Sequence, residues 1–201
     1  MMLVSTDGFF ASLVSLWMFI FFMVGTPGPA NLLMMTIGSQ FGMKAAMRFN
    51  AGLVSGKLCL NVAMAIGVGV FMKAHPVLLD ALKYLSAAIM IYLSLLTLKN
   101  QVGVSEISGQ LSWRTGLIVH PLNPKAWVMT ILAWTEFGPQ LGSLVQQTFI
   151  ICSSFAVAQL VFHSIWALAG ALLSWVLGTS LWLNRLLVFV TCAAVIWAVF
   201  L

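Results

Sequence analysis

Apolar runs of about 20 residues recur along almost the whole chain, and they decide its fold class. A helix of about 20 residues crosses the roughly 30 Å of hydrocarbon in a bilayer. Only 6% of the 201 residues are charged, against about a quarter in soluble proteins. The apolar windows lie at 9–37, 51–72, 77–98, 115–137, 144–175 and 183–201. The sequence therefore predicts an all-α integral membrane protein with about six transmembrane helices.

The six windows form two sets of three, which predicts a single transmembrane domain over 1–201. Its halves cover about 1–98 and 112–201, and a polar connection of about 99–114 joins them. The first and fifth windows are too long for one straight crossing, so we expect each to be kinked, tilted or partly re-entrant. A cleaved signal peptide is the alternative for 9–25, but Asp7 precedes that stretch and no Lys or Arg does.

Two proline motifs interrupt the first and fourth windows at corresponding places. They read TPGPANLLMMT at 26–36 and HPLNPKAWVMT at 120–130. Paired interruptions of this kind are typical of transporters built from inverted repeats, whose substrate sites lie between discontinuous helices. We therefore predict two three-helix halves related by an inverted repeat, with helices 1 and 4 broken at these motifs. An ordinary proline kink packed against neighbouring helices is the alternative.

The first motif predicts a helix end that binds an anion. Pro27 and Pro29 lack an amide N–H and Gly28 lacks a Cβ, and one interior proline already costs a helix on the order of 3 kcal/mol. A new helix would begin near Pro29 to Asn31, with unpaired amides and a positive dipole end. A substrate carboxylate would satisfy both. We assign Pro27, Gly28, Pro29 and Asn31 to a candidate substrate site.

The second motif adds His120, Asn123, Pro124 and Lys125 to the candidate substrate site. An intramembrane lysine costs about 2.5–3.5 kcal/mol on insertion scales and usually faces the bundle interior. Lys125 is therefore expected to hold an anionic group or an internal carbonyl, with snorkelling to the interface as the alternative. For His120, as for His163 in the fifth window, an interhelical hydrogen bond competes with proton transfer as the explanation.

The second window combines a packing signal with a lysine. Gly52 and Gly56 have the G-x-x-x-G spacing that lets helix backbones approach closely. Lys57 and Asn61 are one turn apart and form a polar stripe, unless Lys57 snorkels to the inner surface. The sequence leaves the roles of Lys57 and His163 open.

The charged residues indicate topology instead of a soluble partner. The net charge of +5 comes from bases that flank apolar runs, so nucleic acid is not expected as a partner. Five bases on the odd-numbered connections against two on the even side predict that both termini lie outside. The bases are Lys44, Arg48, Lys99, Arg114 and Arg185 against Lys73 and Lys83.

The acidic and sulfur-containing residues also limit the function. The four carboxylates lie at or near the ends of spans, so none is placed for a mid-membrane proton relay. The three cysteines lie in apolar segments without metal-ligand spacing, and no metal or cofactor is predicted. The carboxylates are Asp7, Asp80, Glu106 and Glu136, and the cysteines are Cys59, Cys152 and Cys192.

These motifs resemble the LysE/RhtB superfamily of amino-acid exporters. The resemblance rests on TPGP with Asn31 after it, on FGMKAAMRFNAGLVSG at 41–56 and on LNPKAW at 122–127. HSIWALAGALL at 163–173 is most similar to the cysteine and O-acetylserine exporter branch. The resemblance implies a six-helix exporter of small neutral or polar amino acids in the bacterial inner membrane, driven by the proton gradient.

Several positions depart from the family pattern. Ala30 stands where the branch often has Asn, and His120 stands where Gln or Asn is usual. Ala46 replaces a frequent Gly, and Lys57 occupies a position that is commonly uncharged. Because Ala30 and His120 border the two predicted breaks, the departures affect the identity of the substrate more than the fold.

Two other classes of function compete with a transporter. One is a noncatalytic membrane subunit, whose glycine seams would pack against a partner. The other is an intramembrane hydrolase that uses Ser55 and His163, although GLVSG does not match a strained nucleophile turn. A homodimer formed through a glycine seam is compatible with a transporter and with a noncatalytic subunit. We predict a transporter and not an enzyme, with the lipid bilayer and a small amino acid as its partners.

Overall fold

The computed structural model describes residues 6–67, 74–96, 98, 111–177 and 181–200. All regular structure in these residues is helical, so the predicted all-α class is confirmed. The α-helices are α1 (Thr6–Gly25), α2 (Pro29–Ala65), α3 (Pro76–Leu96), α4 (Trp113–Leu122), α5 (Pro124–Leu132), α6 (Leu144–Leu177) and α7 (Leu181–Phe200). A π-helical turn at Ala133–Phe137 and a 3₁₀ turn at Gly138–Gln140 follow α5.

The first predicted window, 9–37, covers α1 and the start of α2, and α2 continues beyond the predicted end at residue 37. α1 stops at Gly25, and α2 begins three residues after Thr26, at Pro29. α2 then changes direction at Gly42, where φ is 76° and ψ is 175°. Residues with a Cβ rarely adopt positive φ, and glycine does so readily. The segment 38–50, which lies between the first two windows, is therefore helical on both sides of a one-residue turn.

The second proline motif separates α4 from α5. Asn123 is extended, with φ −75° and ψ 117°, and Pro124 opens α5 at its first position. Proline is favoured at this position because its missing N–H would have no intrahelical partner there. Of the predicted polar connection at 99–114, residues 99–110 lie outside the described residues, and the remainder leads into α4 at Trp113.

The fifth window forms one helix, α6, of 34 residues. At 1.5 Å per residue it is about 50 Å long, which exceeds the hydrocarbon thickness and leaves tilt as the means of fitting it. By length and apolarity, two described segments could each cross a membrane, Gly8–Gly25 and Leu144–Val176. The count of six spans stays a prediction.

Two contacts show that α1 runs antiparallel to α5 and the turn after it. The hydroxyl of Ser12 donates to the carbonyl of Phe137 near one end. The ammonium of Lys125 donates to Thr26 near the other. The division at 1–98 and 112–201 into halves, and their inverted symmetry, remain predictions.

Glycines let the central helices touch through their backbones. A Cβ at Gly52 would overlap the carbonyl of Trp113, and one at Gly56 would overlap the carbonyl of Leu117. Both glycines predicted for helix packing thus face α4. Where α2 meets α6, a Cβ at Gly38 would overlap the Ala167 carbonyl. Close approach of this kind is the usual use of small residues between membrane helices.

The distribution of side chains is that of a protein surrounded by lipid. Large apolar side chains lie outside, for example Phe149 at 74% and Trp175 at 83% exposure. Polar side chains are fully buried inside, including Asn50, Lys57 and Gln159. An apolar exterior around a partly polar centre suits a bundle in hydrocarbon, where intramembrane polar groups face the interior or a water-filled path. The candidate site lies among these buried polar residues.

Candidate functional site

The two helix breaks are in contact with each other. The Lys125 ammonium nitrogen lies 3.0 Å from the Thr26 hydroxyl oxygen and 3.3 Å from the Thr26 carbonyl oxygen. A Cβ at Gly28 would lie 3.2 Å from the same nitrogen. Lys125 of the second motif thus binds a backbone carbonyl of the first motif, which is one of the two partners expected for it. The absence of a side chain at Gly28 leaves room for the lysine.

Asn31 closes the end of α1. Its side-chain amide nitrogen donates to the carbonyl of Val24 at 2.7 Å and to the carbonyl of Thr26 at 2.8 Å. The last carbonyls of a helix have no intrahelical partner, and in a membrane they need one. Asn31 therefore satisfies carbonyls that the break leaves open, and it holds the end of α1 beside the start of α2.

The start of α2 differs from the start of α5 in how its amides are satisfied. At α5, the Asn123 side chain accepts a hydrogen bond from the amide of Lys125 at 3.0 Å. At α2, Gly28 is extended and supplies no side-chain cap. The amides of Ala30 and Asn31 have no hydrogen-bond partner among the described residues. The first break thus offers free donors at a positive helix end, and the second is already capped.

Two histidines extend the polar centre, and each has an amide partner. His120 Nε2 lies 2.8 Å from the side-chain nitrogen of Gln159, and His163 Nδ1 lies 2.9 Å from the side-chain oxygen of Asn50. The ring centroids of the two histidines are 6.0 Å apart. The predicted interhelical hydrogen bonds are therefore present for both residues, and they join α4 to α6 and α6 to α2.

A cavity lies between the breaks. Its volume is only about 20 Å³, room for about one water molecule. Ligand pockets commonly measure about 300–1,000 Å³. A ligand as large as an amino acid therefore fits only when the lining helices separate. Its polar lining consists of Asn31, His120, Asn123, Lys125, Gln159 and His163.

Three buried polar atoms that belong to this lining have no hydrogen-bond partner among the described residues. They are the side-chain oxygen of Asn31, Nδ1 of His120 and the side-chain oxygen of Gln159. An unsatisfied buried polar group costs about 1–3 kcal/mol. Because three such groups line one cavity, they are suited to a polar ligand that supplies both donors and acceptors.

Lys57 points into the bundle and does not snorkel. Its side chain is fully buried, and its nitrogen donates to the carbonyl of Ala126 at 3.1 Å and to the hydroxyl of Thr130 at 2.5 Å. Asn61, one turn along α2, accepts a hydrogen bond from the indole of Trp134 at 3.2 Å. The polar stripe on α2 therefore faces α5 and the turn after it.

The remaining candidates have simpler surroundings. Pro27 is exposed and Pro29 is buried at the first position of α2. Ser55 donates to the carbonyl of Ala51 at 2.8 Å, and His163 bonds Asn50, so the structure does not bring together the serine and histidine of the hydrolase alternative. Among the described residues, no group of three His, Cys, Asp or Glu side chains could hold a metal ion.

Sequence reasoning missed Thr26, Asn50 and Gln159 as members of the site. Thr26 stands inside the quoted first motif, but its hydroxyl contact depends on a lysine 99 residues away. Gln159 stands alone in the apolar stretch that follows Gln147, and that isolation was the available signal, because a polar side chain in a membrane helix faces the interior.

The order of the motifs along the chain matches a known family. A family model described as LysE type translocator matches residues 21–201, which include both breaks and every residue of the cavity. The chain belongs to this family. The predicted resemblance to the LysE/RhtB superfamily is thereby confirmed, while assignment to the cysteine and O-acetylserine branch stays a prediction.

Relatives of this LysE-type chain are membrane proteins. An uncharacterized membrane protein of Pseudomonas aeruginosa is 29% identical over 127 residues, which cover 58% of this chain and 59% of that protein. The leucine efflux protein of Salmonella typhimurium is 25% identical over 171 residues, 79% of each chain. An uncharacterized membrane protein of Bacillus subtilis is 26% identical over 146 residues, 65% of this chain and 70% of that protein.

No solved structure matches this LysE-type chain. The family model and the membrane-protein relatives identify it as a multi-pass membrane protein of a transport family.

Proposed function

We propose that the protein exports neutral amino acids and binds them in the cavity between the two helix breaks. The observation that carries the proposal is the convergence of free amides, a lysine and three unpaired buried polar atoms on one cavity. A zwitterionic amino acid has a carboxylate that accepts hydrogen bonds and an ammonium that donates them. It therefore matches both kinds of unsatisfied group.

The substrate carboxylate would bind at the start of α2. The free amides of Ala30 and Asn31 and the positive helix end favour an anion there. Lys125 would contribute a charge-assisted hydrogen bond by turning from Thr26. The uncapped start of α2 supports this assignment over α5, where Asn123 already occupies the first-turn amide.

The substrate ammonium would bind to unpaired acceptors of the same cavity lining. The unpaired side-chain oxygens of Asn31 and Gln159 are acceptors for it. With Gln159 donating to His120 Nε2, the Nδ1 of His120 carries the proton and adds a donor for the carboxylate. The His120–Gln159 pair would thus orient the substrate, because Gln159 accepts from its ammonium and His120 donates to its carboxylate.

The charge of the lining favours a neutral side chain on the substrate. The cavity lining includes Lys125 and no carboxylate. A lysine or arginine substrate would bury a second cation without a counter-charge, which is costly in a low-dielectric site. Leucine efflux proteins are among the relatives, and their name agrees with export of a neutral amino acid.

Export would proceed by alternating access, with one half rocking against the other around the cavity. We propose the bacterial inner membrane as the location, both termini outside, and the proton gradient as the driving force. The noncatalytic subunit remains the competing function, and it predicts no transport by the purified protein.

Transport is tested most directly in cells and in vesicles. Cells that express the protein are challenged with inhibitory concentrations of leucine, cysteine, serine, lysine and arginine, supplied as dipeptides. We expect resistance to one or more neutral amino acids and none to lysine or arginine. Proteoliposomes loaded with the selected amino acid should then release it, and Lys125→Met should release it at least tenfold more slowly than Lys44→Met. Purified protein that moves no amino acid refutes the proposal.

A further inference from the structure

Lys57 has three partners, and all of them are neutral. Its nitrogen donates to the Ala126 carbonyl at 3.1 Å and to the Thr130 hydroxyl at 2.5 Å, and it lies 3.9 Å from the centre of the Phe155 ring. The Thr130 hydroxyl in turn donates to the Ala126 carbonyl at 2.6 Å. Two hydrogen bonds and a ring face accommodate the three N–H groups of an ammonium. No carboxylate of the described residues forms an ion pair with it.

The partners of Lys57 all lie in the other half of the chain. Lys57 is in α2, whereas Ala126 and Thr130 are in α5 and Phe155 is in α6. Rocking of one half against the other would break all three contacts together. The same movement opens the cavity, whose lining residue Met129 is adjacent to Thr130. Lys57 would therefore pass from a dry cage to a wetted position once in each transport cycle.

The other titratable groups nearby are less suited to follow this movement. Cys152 of α6 and His120 of α4 are close enough to Lys57 to interact electrostatically. His120 bonds Gln159 within its own half, so rocking leaves that contact intact. His163 contacts Asn50 across the halves, but it lines the substrate cavity itself.

We propose that Lys57 carries the proton that is exchanged for the exported amino acid. This inference rests on the proposed export function. In one access state the amine lone pair takes a proton from water on the side of higher proton concentration. In the other state the N–H bond breaks and the proton leaves to water on the opposite side. No other reactant is consumed.

Exchange between proton and substrate follows from charge. The substrate ammonium would bind the side-chain oxygen of Gln159, and the ammonium of Lys57 lies against the ring of Phe155, one turn earlier in α6. Two cations in a low-dielectric interior repel each other. Binding of the amino acid therefore favours release of the Lys57 proton, which is the coupling that antiport requires.

The test separates exchange from coupling in proteoliposomes that contain the purified full-length protein. L-Leucine counterflow at equal pH on both sides measures exchange, and L-leucine accumulation under an imposed pH gradient measures coupling, with L-cysteine as a second probe. We expect the counterflow rate of Lys57→Met to stay within about threefold of the wild-type rate. Its gradient-driven accumulation of L-leucine should fall at least tenfold. Lys44→Met, which removes an exposed lysine of the same helix, should keep both activities.

A second measurement does not depend on the variant. L-Leucine added to detergent-solubilised wild-type protein in weak buffer should release about one proton per bound substrate, and a pH-sensitive dye records it. Gradient-driven accumulation that survives in Lys57→Met, equal loss of both activities, or wild-type protein that releases no proton would each overturn the proposal. If wild-type protein moves neither amino acid in counterflow, the export function itself fails, and this inference fails with it.

Discussion

The ammonium nitrogen of Lys125 lies 3.0 Å from the hydroxyl oxygen of Thr26, and this contact joins the helix break of one half to the helix break of the other. Lys57 makes the reverse connection, from α2 to α5. Each half thus contributes a lysine that bonds a threonine hydroxyl and a backbone carbonyl of the opposite half. In the proposed alternating-access cycle, both sets of contacts would break when the halves separate.

Replacement of Lys125 by methionine should weaken substrate binding. In the proposed complex this lysine pairs with the substrate carboxylate, and a hydrogen bond to a charged group contributes about 1.5–3 kcal/mol. We therefore expect the apparent KM for export to rise at least tenfold. Thr26→Val is the matched control, because it removes one neutral partner while the Thr26 carbonyl still accepts. Its KM should change less than threefold, and similar effects for both variants would contradict the assignment.

Substitution by aspartate should lower thermal stability at Asn31 and leave it almost unchanged at Asn123. Asn31 donates two hydrogen bonds to carbonyls, so Asn31→Asp removes both donors and places acceptors against acceptors. The buried carbonyl of Val24 is then left without this partner, while the Thr26 carbonyl still accepts from Lys125. An unsatisfied buried carbonyl costs about 1–3 kcal/mol, and we expect a clear loss of thermal stability in detergent. Asn123 acts as an acceptor for the amide of Lys125, a role that aspartate fills equally well. The unfolding temperature of Asn123→Asp should therefore lie within a few degrees of the wild-type value. An equal fall in unfolding temperature for both variants would refute the prediction.

Gly38→Ala should destabilise the contact between α2 and α6. A Cβ at this position would overlap the carbonyl of Ala167, and a backbone cannot move aside as a flexible side chain can. Overpacking of this kind costs about 1–3 kcal/mol. The neighbouring Ser39 is the control, since its buried hydroxyl has no partner in the described part of the chain. Thermal unfolding should show a marked loss for Gly38→Ala and little change for Ser39→Ala.

The two helix breaks were predictable because proline acts locally. Pro27, Pro29 and Pro124 remove amide donors wherever the chain places them, so the need for a helix start follows from the sequence alone. The turn at Gly42 was not predictable in the same way. A single glycine among helix-forming residues is tolerated in a helix, so its positive φ does not follow from the local sequence.

The polar contacts of the site depended on tertiary structure to a greater degree. The sequence indicated that Lys57 was either internal or snorkelling, and the hydroxyl of Thr130 and the ring of Phe155, which determine its direction, are 73 and 98 positions away in the chain. His120 was identified from its place in a motif, whereas its partner Gln159 belongs to no motif. Residue types near a helix break can be predicted, but partners across the bundle cannot.

Gln159→Met tests whether the side-chain amide of Gln159 binds the substrate. Methionine has a similar shape, so packing between α4 and α6 is retained, while the acceptor proposed for the substrate ammonium and the bond to His120 are lost. We expect the apparent KM for export of a neutral amino acid to rise about tenfold or more. Because Nε2 of His120 also loses its partner, which costs about 1–3 kcal/mol, KM is measured below the unfolding temperature of the variant. Gln147 provides a matched control, since it bonds the carbonyl of Gly142 outside the cavity. Vesicle efflux measured over a range of internal substrate concentrations gives KM and the maximal rate. A KM for Gln159→Met equal to that of Gln147→Met would show that the His120–Gln159 pair has a purely structural role.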